Sequence, residues 1–385
     1  MSMLFFRTPG VLITGTGSVS QVAAEIQNLK ATKILVVTDK IVHQTGLINK
    51  VTQHFGGIPF DIIDEVIPEP PFENLEEMSG KIKNKGYNLL VGVGGGSVLD
   101  VTKMLSIMMT NDVNVRELVG INKVEKKGVP FILIPTTSGT GSEVTYNAIF
   151  TDTSDNVKKG IVSPYLLPDV AIVDAEMTVT CPPSVTAASG MDALVHAVES
   201  YTALRAGELT DGIALQAIKL ITRSLLKAVY NGKDMKARED MAMGSLLAGI
   251  ALANAGVGAV HALAYPLGGK FHVSHGVSNS MLLPYVMKYN VVSNLEKFAE
   301  VAKAMGENVE GLSLREAADR AVKAMAQLAK DAGIPKMKDV KGLTEADIPA
   351  LAEEASKIDR LLSNNPRALT LKDIEQIYRE AYAGE

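Results

Sequence analysis

The chain has 385 residues, of which 46% are hydrophobic and 21% charged, with a formal net charge of -5; this is a globular composition that excludes a disordered chain and gives no electrostatic basis for binding nucleic acid. Its length exceeds what one core usually serves and predicts two domains. The single cysteine, Cys181, excludes an intrachain disulfide and a cysteine-based zinc site, points to a reducing compartment, and reads as a small buried side chain.

Residues 1–10 hold a short apolar run with no charged n-region, long h-region or cleavage site, so no signal peptide is predicted. From there to about residue 180, short β-branched runs alternate with helical patterns, as the strands and crossover helices of a parallel sheet do. Lys33–Thr38 is the first clear strand. Leu89–Val93, Val129–Ile134 and Val170–Val173 follow, each apolar throughout, which predicts a sheet covered on both faces. Leu75–Lys85 and Val98–Met109 carry helical spacing, and Pro68–Pro71 marks a loop. After Cys181 the texture changes: segments rich in Ala, Leu and Met, such as Asp211–Val229 and Leu314–Ala332, have helical periodicity and no strand is evident. Pro182 and Pro183 supply the linker, which divides the chain into domains 1–182 and 183–385. The weakly polar stretch Met241–Leu267 contains Asn254, His261 and several glycines, and so reads as buried helices around a site and not as a membrane span. The protein is expected to be soluble and cytoplasmic.

Two glycine-bearing loops follow strands. Gly94-Gly95-Gly96-Ser97 joins Leu89–Val93 to a helix carrying Asp100 and Lys103. Glycines there let the backbone approach a phosphate, and the first N–H groups of the helix favour an anion. A tight strand-to-helix turn accounts for that run equally well on its own. The second loop, Thr136 to Glu143, adds hydroxyls at the same carboxyl edge of the sheet, where open α/β sheets bind ligands. Asp39 sits just past the first strand, where a carboxylate can bind ribose hydroxyls and repel a 2′-phosphate, favouring NAD over NADP; a turn or helix-capping role explains it too. The G-x-G-x-x-G spacing is absent after that strand.

In the helical half, Asp192 and His196 are four residues apart, so they share one face of a helix. His261 and His275 follow, and four of the six histidines fall between residues 196 and 275. One carboxylate and three imidazoles suit Fe²⁺ or Zn²⁺, whereas Mg²⁺ or Ca²⁺ would call for oxygen ligands. Each residue also has a plain structural reading: Ser189 could cap a helix with Asp192 as the acidic member of a capping box, and His196 could be a packed core histidine.

With these blocks in view, the chain resembles the iron-containing (group III, metal-dependent) alcohol dehydrogenases. The similarity runs through Val37-Thr38-Asp39, Gly94–Ser97 with Asp100 and Lys103, Thr136–Glu143, Gly190-Met191-Asp192 to His196, Val260-His261-Ala262-Leu263-Ala264, His275-Gly276-Val277-Ser278-Asn279 and the late Asn364-Asn365-Pro366-Arg367 segment. The resemblance implies an N-terminal Rossmann-like dinucleotide-binding α/β domain and a C-terminal all-α metal-binding domain, as in dehydroquinate-synthase-like folds, with one divalent metal in the cleft between them. By motif, Asp192, His196, His261 and His275 would be the ligands of Fe²⁺, with Zn²⁺ the alternative. Asp39, Gly95, Gly96, Ser97, Thr136, Thr137, Thr140 and Thr145 would line the NAD site, with Lys158 a further contact, unless Lys158 and Lys159 form a solvated turn. The block after His261 departs from many relatives, which carry a second histidine where this chain has Tyr265. A phenol with an ordinary pKa of about 10 is a poorer relay near neutral pH, which makes His272 the candidate proton shuttle. The implied activity is hydride transfer between NAD and a small primary alcohol or diol, in a homodimer or larger homo-oligomer with no nucleic-acid or membrane partner. Glycerol-dehydrogenase-like or dehydroquinate-synthase-like chemistry on the same scaffold, and a non-catalytic NAD- or metal-binding protein, are the alternatives.

Overall fold

A computed structural model describes residues 5–154 and 157–384. The described residues divide into two compact units, 7–181 and 182–384, the latter joined by Phe5 and Phe6.

Among the described residues, the first unit holds nine strands: β1 (Val11–Thr14), β2 (Ile34–Val37), β3 (Phe60–Ile63), β4 (Leu89–Gly94), β5 (Gly120–Ile121), β6 (Phe131–Pro135), β7 (Asn147–Asp152), β8 (Val157–Val162) and β9 (Val170–Val173). Six form one sheet in the order β1-β9-β6-β4-β2-β3, and every pairing in it is parallel. The apolar runs of the sequence have a direct cause here. Successive side chains of a strand point to opposite faces, so Leu35, Val37, Leu90, Phe131 and Leu133 enter one core while Ile34, Val36, Leu89, Val91, Ile132 and Ile134 enter the other. Four predicted strands thus correspond to β2, β4, β6 and β9.

β1 and β3 lie outside the predicted set because they are edge strands, four residues each and largely exposed, so they lack the two-sided apolar signature. A second sheet, β5-β8-β7, also went unpredicted; β7 and β8 pair antiparallel from Asn147↔Val162 to Asp152↔Val157. Lys158 and Lys159 stand inside β8 and not in a solvated turn, which corrects that reading.

Among the described residues, the second unit contains helices and no strand. The helices Pro183–Thr202, Glu208–Tyr230, Met235–Ala255, Ala259–Phe271 and His275–Asn290 share one core with those nearer the C-terminus. Among the described residues, no single helix is long and apolar enough to cross a membrane; Met235–Ala255 and Ala259–Phe271 pass that test only as a pair, and they are bent by 104° at their junction. Pro183 begins its helix, as proline can at a first turn. Cys181 is half-buried and not fully buried as expected.

Candidate active site: a four-residue cluster and a glycine-lined sheet edge

Asp192 and His196 project from the helix Pro183–Thr202. Ser189 lies inside that helix, with its Oγ 3.5 Å from the Thr186 carbonyl, so the capping-box explanation of Asp192 fails for lack of a helix start there. His261 sits in the first turn of Ala259–Phe271, and His275 opens His275–Asn290. The four residues each place one ligand atom within 4.8 Å of all the others. His196 Nε2 lies 3.8 Å from Asp192 Oδ2, and His275 Nε2 lies 3.8 Å from Asp192 Oδ1.

The close approach of the helices depends on a small residue. A Cβ at Gly276 would stand 2.5 Å from the Ala188 carbonyl oxygen and 3.4 Å from Asp192 Cβ, so any side chain there would push His275 away from Asp192. The start of the His261 helix is fastened separately. Asn365 Oδ1 accepts from the Ala259 N–H, and Asn364 Nδ2 donates to the carbonyls of Ala255 and Val257. The Asn364–Arg367 segment therefore acts by fixing the bend before His261.

Sequence reasoning missed Glu199. Its Oε2 lies 2.5 Å from His261 Nδ1, and its Oε1 accepts from the Val260 N–H at 2.7 Å. A buried carboxylate on Nδ1 fixes the tautomer and directs Nε2 toward the cluster, the usual second partner of a metal-binding imidazole. The signal was present: Glu199 is seven residues after Asp192 and three after His196, on the same helical face.

Asn279 closes the block that begins at His275, but sequence reasoning gave it no role. It is fully buried, and its Nδ2 lies 2.7 Å from Asp192 Oδ1, 3.2 Å from His261 Nε2 and 3.1 Å from His275 Nε2. Its Oδ1 is buried with no hydrogen-bond partner. Burial opposes ionisation of Asp192, yet His196, His275 and His261 together with the Asn279 amide hold its carboxyl below the ordinary value. Tyr265 has its ring 6.2 Å from that of His275, and burial pushes its phenol up against the opposing Arg360 charge. It is a still weaker proton donor than an exposed tyrosine. His272 is exposed and caps the His261 helix in the left-handed region at φ 54°.

The donor set fits a borderline divalent ion. Bonds of about 2.0–2.2 Å in a tetrahedral set place ligand atoms about 3.3–3.6 Å apart, so a cluster whose ligand atoms lie within 4.8 Å of one another would draw together by at most about 1.5 Å on binding. The ligands are nitrogen and carboxylate, and the second partner of His261 is already in place.

In the first unit, the residues expected to line a cofactor gather at one edge of the sheet. β2 pairs with β3 on one side and with β4 on the other, so successive connections run in opposite directions, and the carboxyl ends of β2 and β4 flank a topological switch point. Asp39 follows β2, the glycines follow β4 and the Thr136 loop follows β6. Gly95 precedes the helix Gly96–Met108. A Cβ at Gly96 would lie 2.6 Å from Thr140 Cγ2, whereas one at Gly95 would make only ordinary contact with Thr137; the first glycine of that helix is required by packing, and the one before it leaves room. Asp39 caps the short helix Lys40–Gln44 through Oδ1, which accepts from the Val42 N–H at 2.9 Å.

Thr145 and Lys158 have structural partners. Lys103 Nζ donates to Thr145 Oγ1 at 3.2 Å, and Lys158 pairs with Glu69 at 3.2 Å. Glu69 lies in the Pro68–Pro71 loop at φ 49°, and its N–H donates to Ser97 Oγ at 3.1 Å. That loop is thereby tied to the glycine helix, a link no local pattern revealed.

Comparison with known proteins decides the family. Residues 9–175 match the model of iron-containing alcohol dehydrogenase, and residues 186–382 match that of the C-terminal part of the Fe-containing alcohol dehydrogenase family. The chain belongs to the iron-containing alcohol dehydrogenases. It is therefore an oxidoreductase acting on alcohols. It is 44% identical to long-chain-alcohol dehydrogenase 1 of Geobacillus thermodenitrificans strain NG80-2, over 100% of this chain and 98% of that one. It is 39% identical to the NAD-dependent methanol dehydrogenase of Bacillus methanolicus, covering 98% and 100%. The crystal structure of a 1,3-propanediol oxidoreductase superposes with a TM-score of 0.95 at 40% identity, covering 98% of this chain and 100% of that one.

Proposed function

We propose that this family member is an NAD-dependent alcohol dehydrogenase and aldehyde reductase for a small primary alcohol or diol, with one divalent cation, Fe²⁺ or alternatively Zn²⁺, held by Asp192, His196, His261 and His275. The convergence of those four ligand atoms within 4.8 Å carries the reading. When bound, such a cation supplies a Lewis acid for an alcohol or aldehyde oxygen, and NAD supplies the hydride acceptor.

The chain's own residues have separable tasks. Glu199 holds His261 in one tautomer, and Gly276 keeps His275 beside Asp192. Gly95, Gly96 and Ser97, at the N-terminus of a thirteen-residue helix, favour the negative pyrophosphate, with Thr136, Thr137, Thr140 and Thr145 as neighbouring hydroxyls. Lys158 adds a cation at that edge. The oxygen of Asp39 that does not cap the helix would accept from the ribose hydroxyls of NAD, so Asp39→Gly should shift the ratio of kcat/KM values toward NADP, and an unchanged ratio would remove the assignment. We assign His272 the proton exchange with solvent, on its exposure three residues before His275. A cytoplasmic location and assembly into a homodimer or larger homo-oligomer belong to the same proposal.

The test is an NAD-linked panel of short alcohols, diols and aldehydes on stripped enzyme reloaded separately with Fe²⁺ and Zn²⁺. Steady accumulation of NADH that requires the cation is the expected result. A lyase of the dehydroquinate-synthase kind regenerates its cofactor every turnover, so absence of net NADH with every alcohol overturns the reading. In the same assay His272→Ala should alter the pH profile of kcat; an unchanged profile returns His272 to a purely structural role.

A further inference from the structure

We propose that Asn279 is an internal stand-in for the cation, whose amide nitrogen competes with the ion for the same ligands and so sets how tightly the site binds metal. The inference rests on the metal-site reading above and adds a residue that is not itself one of the four ligands.

Three distances carry it. The Asn279 Nδ2 is 2.7 Å from Asp192 Oδ1, 3.2 Å from His261 Nε2 and 3.1 Å from His275 Nε2, so one amide group reaches three of the four atoms that would bind the ion. An NH₂ group offers two hydrogens, and the acceptors it serves are the lone pairs a cation needs. The other end of the side chain shows what fixes this orientation. Oδ1 is buried without a partner, a costly condition for a carbonyl oxygen. Reversing the amide would bring Oδ1 against the Asp192 carboxylate, oxygen facing oxygen, so the acceptors of the cluster hold the nitrogen inward at the expense of the oxygen.

A cation among the ligands inverts that balance. Its charge repels the amide hydrogens and occupies the lone pairs they use, and the side chain must turn or withdraw for the ion to bind. Asn279 consequently stabilises the stripped site and weakens the loaded one relative to it. Free energy of the stripped state and apparent affinity are linked: whatever stabilises only the stripped state lowers affinity by the same factor.

Zn²⁺, which has no redox chemistry of its own, serves as the probe. Chelator-stripped wild type, Asn279→Ala and the milder Asn279→Ser are compared by competition with a chromophoric chelator and by thermal melting with and without Zn²⁺. The stripped Asn279→Ala protein should melt below stripped wild type, the gap should narrow on loading, and Zn²⁺ should bind about tenfold tighter, the equivalent of one charge-assisted hydrogen bond no longer broken. Asn279→Ser should fall between, and decides the matter if the alanine variant does not fold when stripped. Unchanged or weaker Zn²⁺ binding by both variants, or unchanged melting of both stripped proteins, overturns the inference. If wild type itself binds neither Zn²⁺ nor Fe²⁺, the metal-site reading falls and this one with it, an outcome distinct from equal binding by wild type and variants.

Discussion

Asp192→Asn is expected to lower cation affinity by more than about 100-fold, beyond the 10- to 100-fold cost typical of losing an outer partner, while Glu199→Gln should fall within that range. The two residues lie on one helix and both are buried, yet the geometry gives them different effects. Asp192 brings the only carboxylate among the four converging residues, and its replacement removes a negative charge from among three imidazoles. Glu199 contacts no position an ion would take; it holds the Nδ1 of His261 and the Val260 N–H. Gln at 199 keeps a carbonyl acceptor but loses the charge that fixes the imidazole. Activity of Glu199→Gln should therefore recover at high cation concentration with kcat near wild type, and Glu199→Asp should recover it in part, whereas Asp192→Asn should stay inactive at any accessible concentration. Titration of NADH formation against Fe²⁺ or Zn²⁺ measures both. Equal loss in the two variants, unrelieved by cation, would show that Glu199 acts on folding alone.

The reach of sequence reasoning follows the range of the forces involved. Strands facing two cores were legible because both faces demand apolar side chains, and the helical half was legible because Asp211–Val229 and Leu314–Ala332 repeat with the helical period. The edge strands β1 and β3 were not, since an exposed edge is under no such demand. The four-residue cluster was legible because few residue types suit such an ion and histidine is scarce. Glu199 and Asn279 escaped for the opposite reason: carboxylates and amides are common, and their roles are defined by contacts 62 and 87 residues distant in sequence. The same holds for Lys158, whose Glu69 partner comes from a loop that reads locally as proline-rich punctuation. Family resemblance supplied a list of residues that includes Gly276, but the reason for a glycine there, a Cβ that would strike another helix, enters only through packing.

Lys103→Met should destabilise the sheet-bearing unit by about 3–5 kcal/mol, the cost of leaving a buried partner unpaired. The side chain of Lys103 is fully buried, and its Nζ reaches Asp100 Oδ1 at 3.1 Å, Ser142 Oγ at 2.7 Å and the Asn147 carbonyl at 2.8 Å. Burial pushes the lysine down and Asp100 opposes it. The Asp100 carboxylate also accepts from Ser142 Oγ and the Ile149 N–H, so this one cation ties the glycine helix to the Thr136–Glu143 loop and to β7. Nearby Glu143 is buried too, and burial raises its carboxyl to about 7, with its own backbone hydrogen bond and Lys103 opposing. Because the folded value lies above the ordinary one, Glu143 favours the folded state fully below about pH 4.5, and that contribution is lost as pH rises through about 7, at about 1.4 kcal/mol per unit of difference. Glu143→Gln should remove this slope, gaining on wild type between pH 5 and pH 8. In Lys103→Met the opposing cation is gone, so Glu143 should titrate higher still and the loss of stability should extend to higher pH. Denaturant midpoints across that pH range, with hydrogen exchange at β4 and β6 to locate the unfolding unit, measure both effects. A Lys103→Met protein as stable as wild type would mean that the buried ammonium does not hold these three segments together.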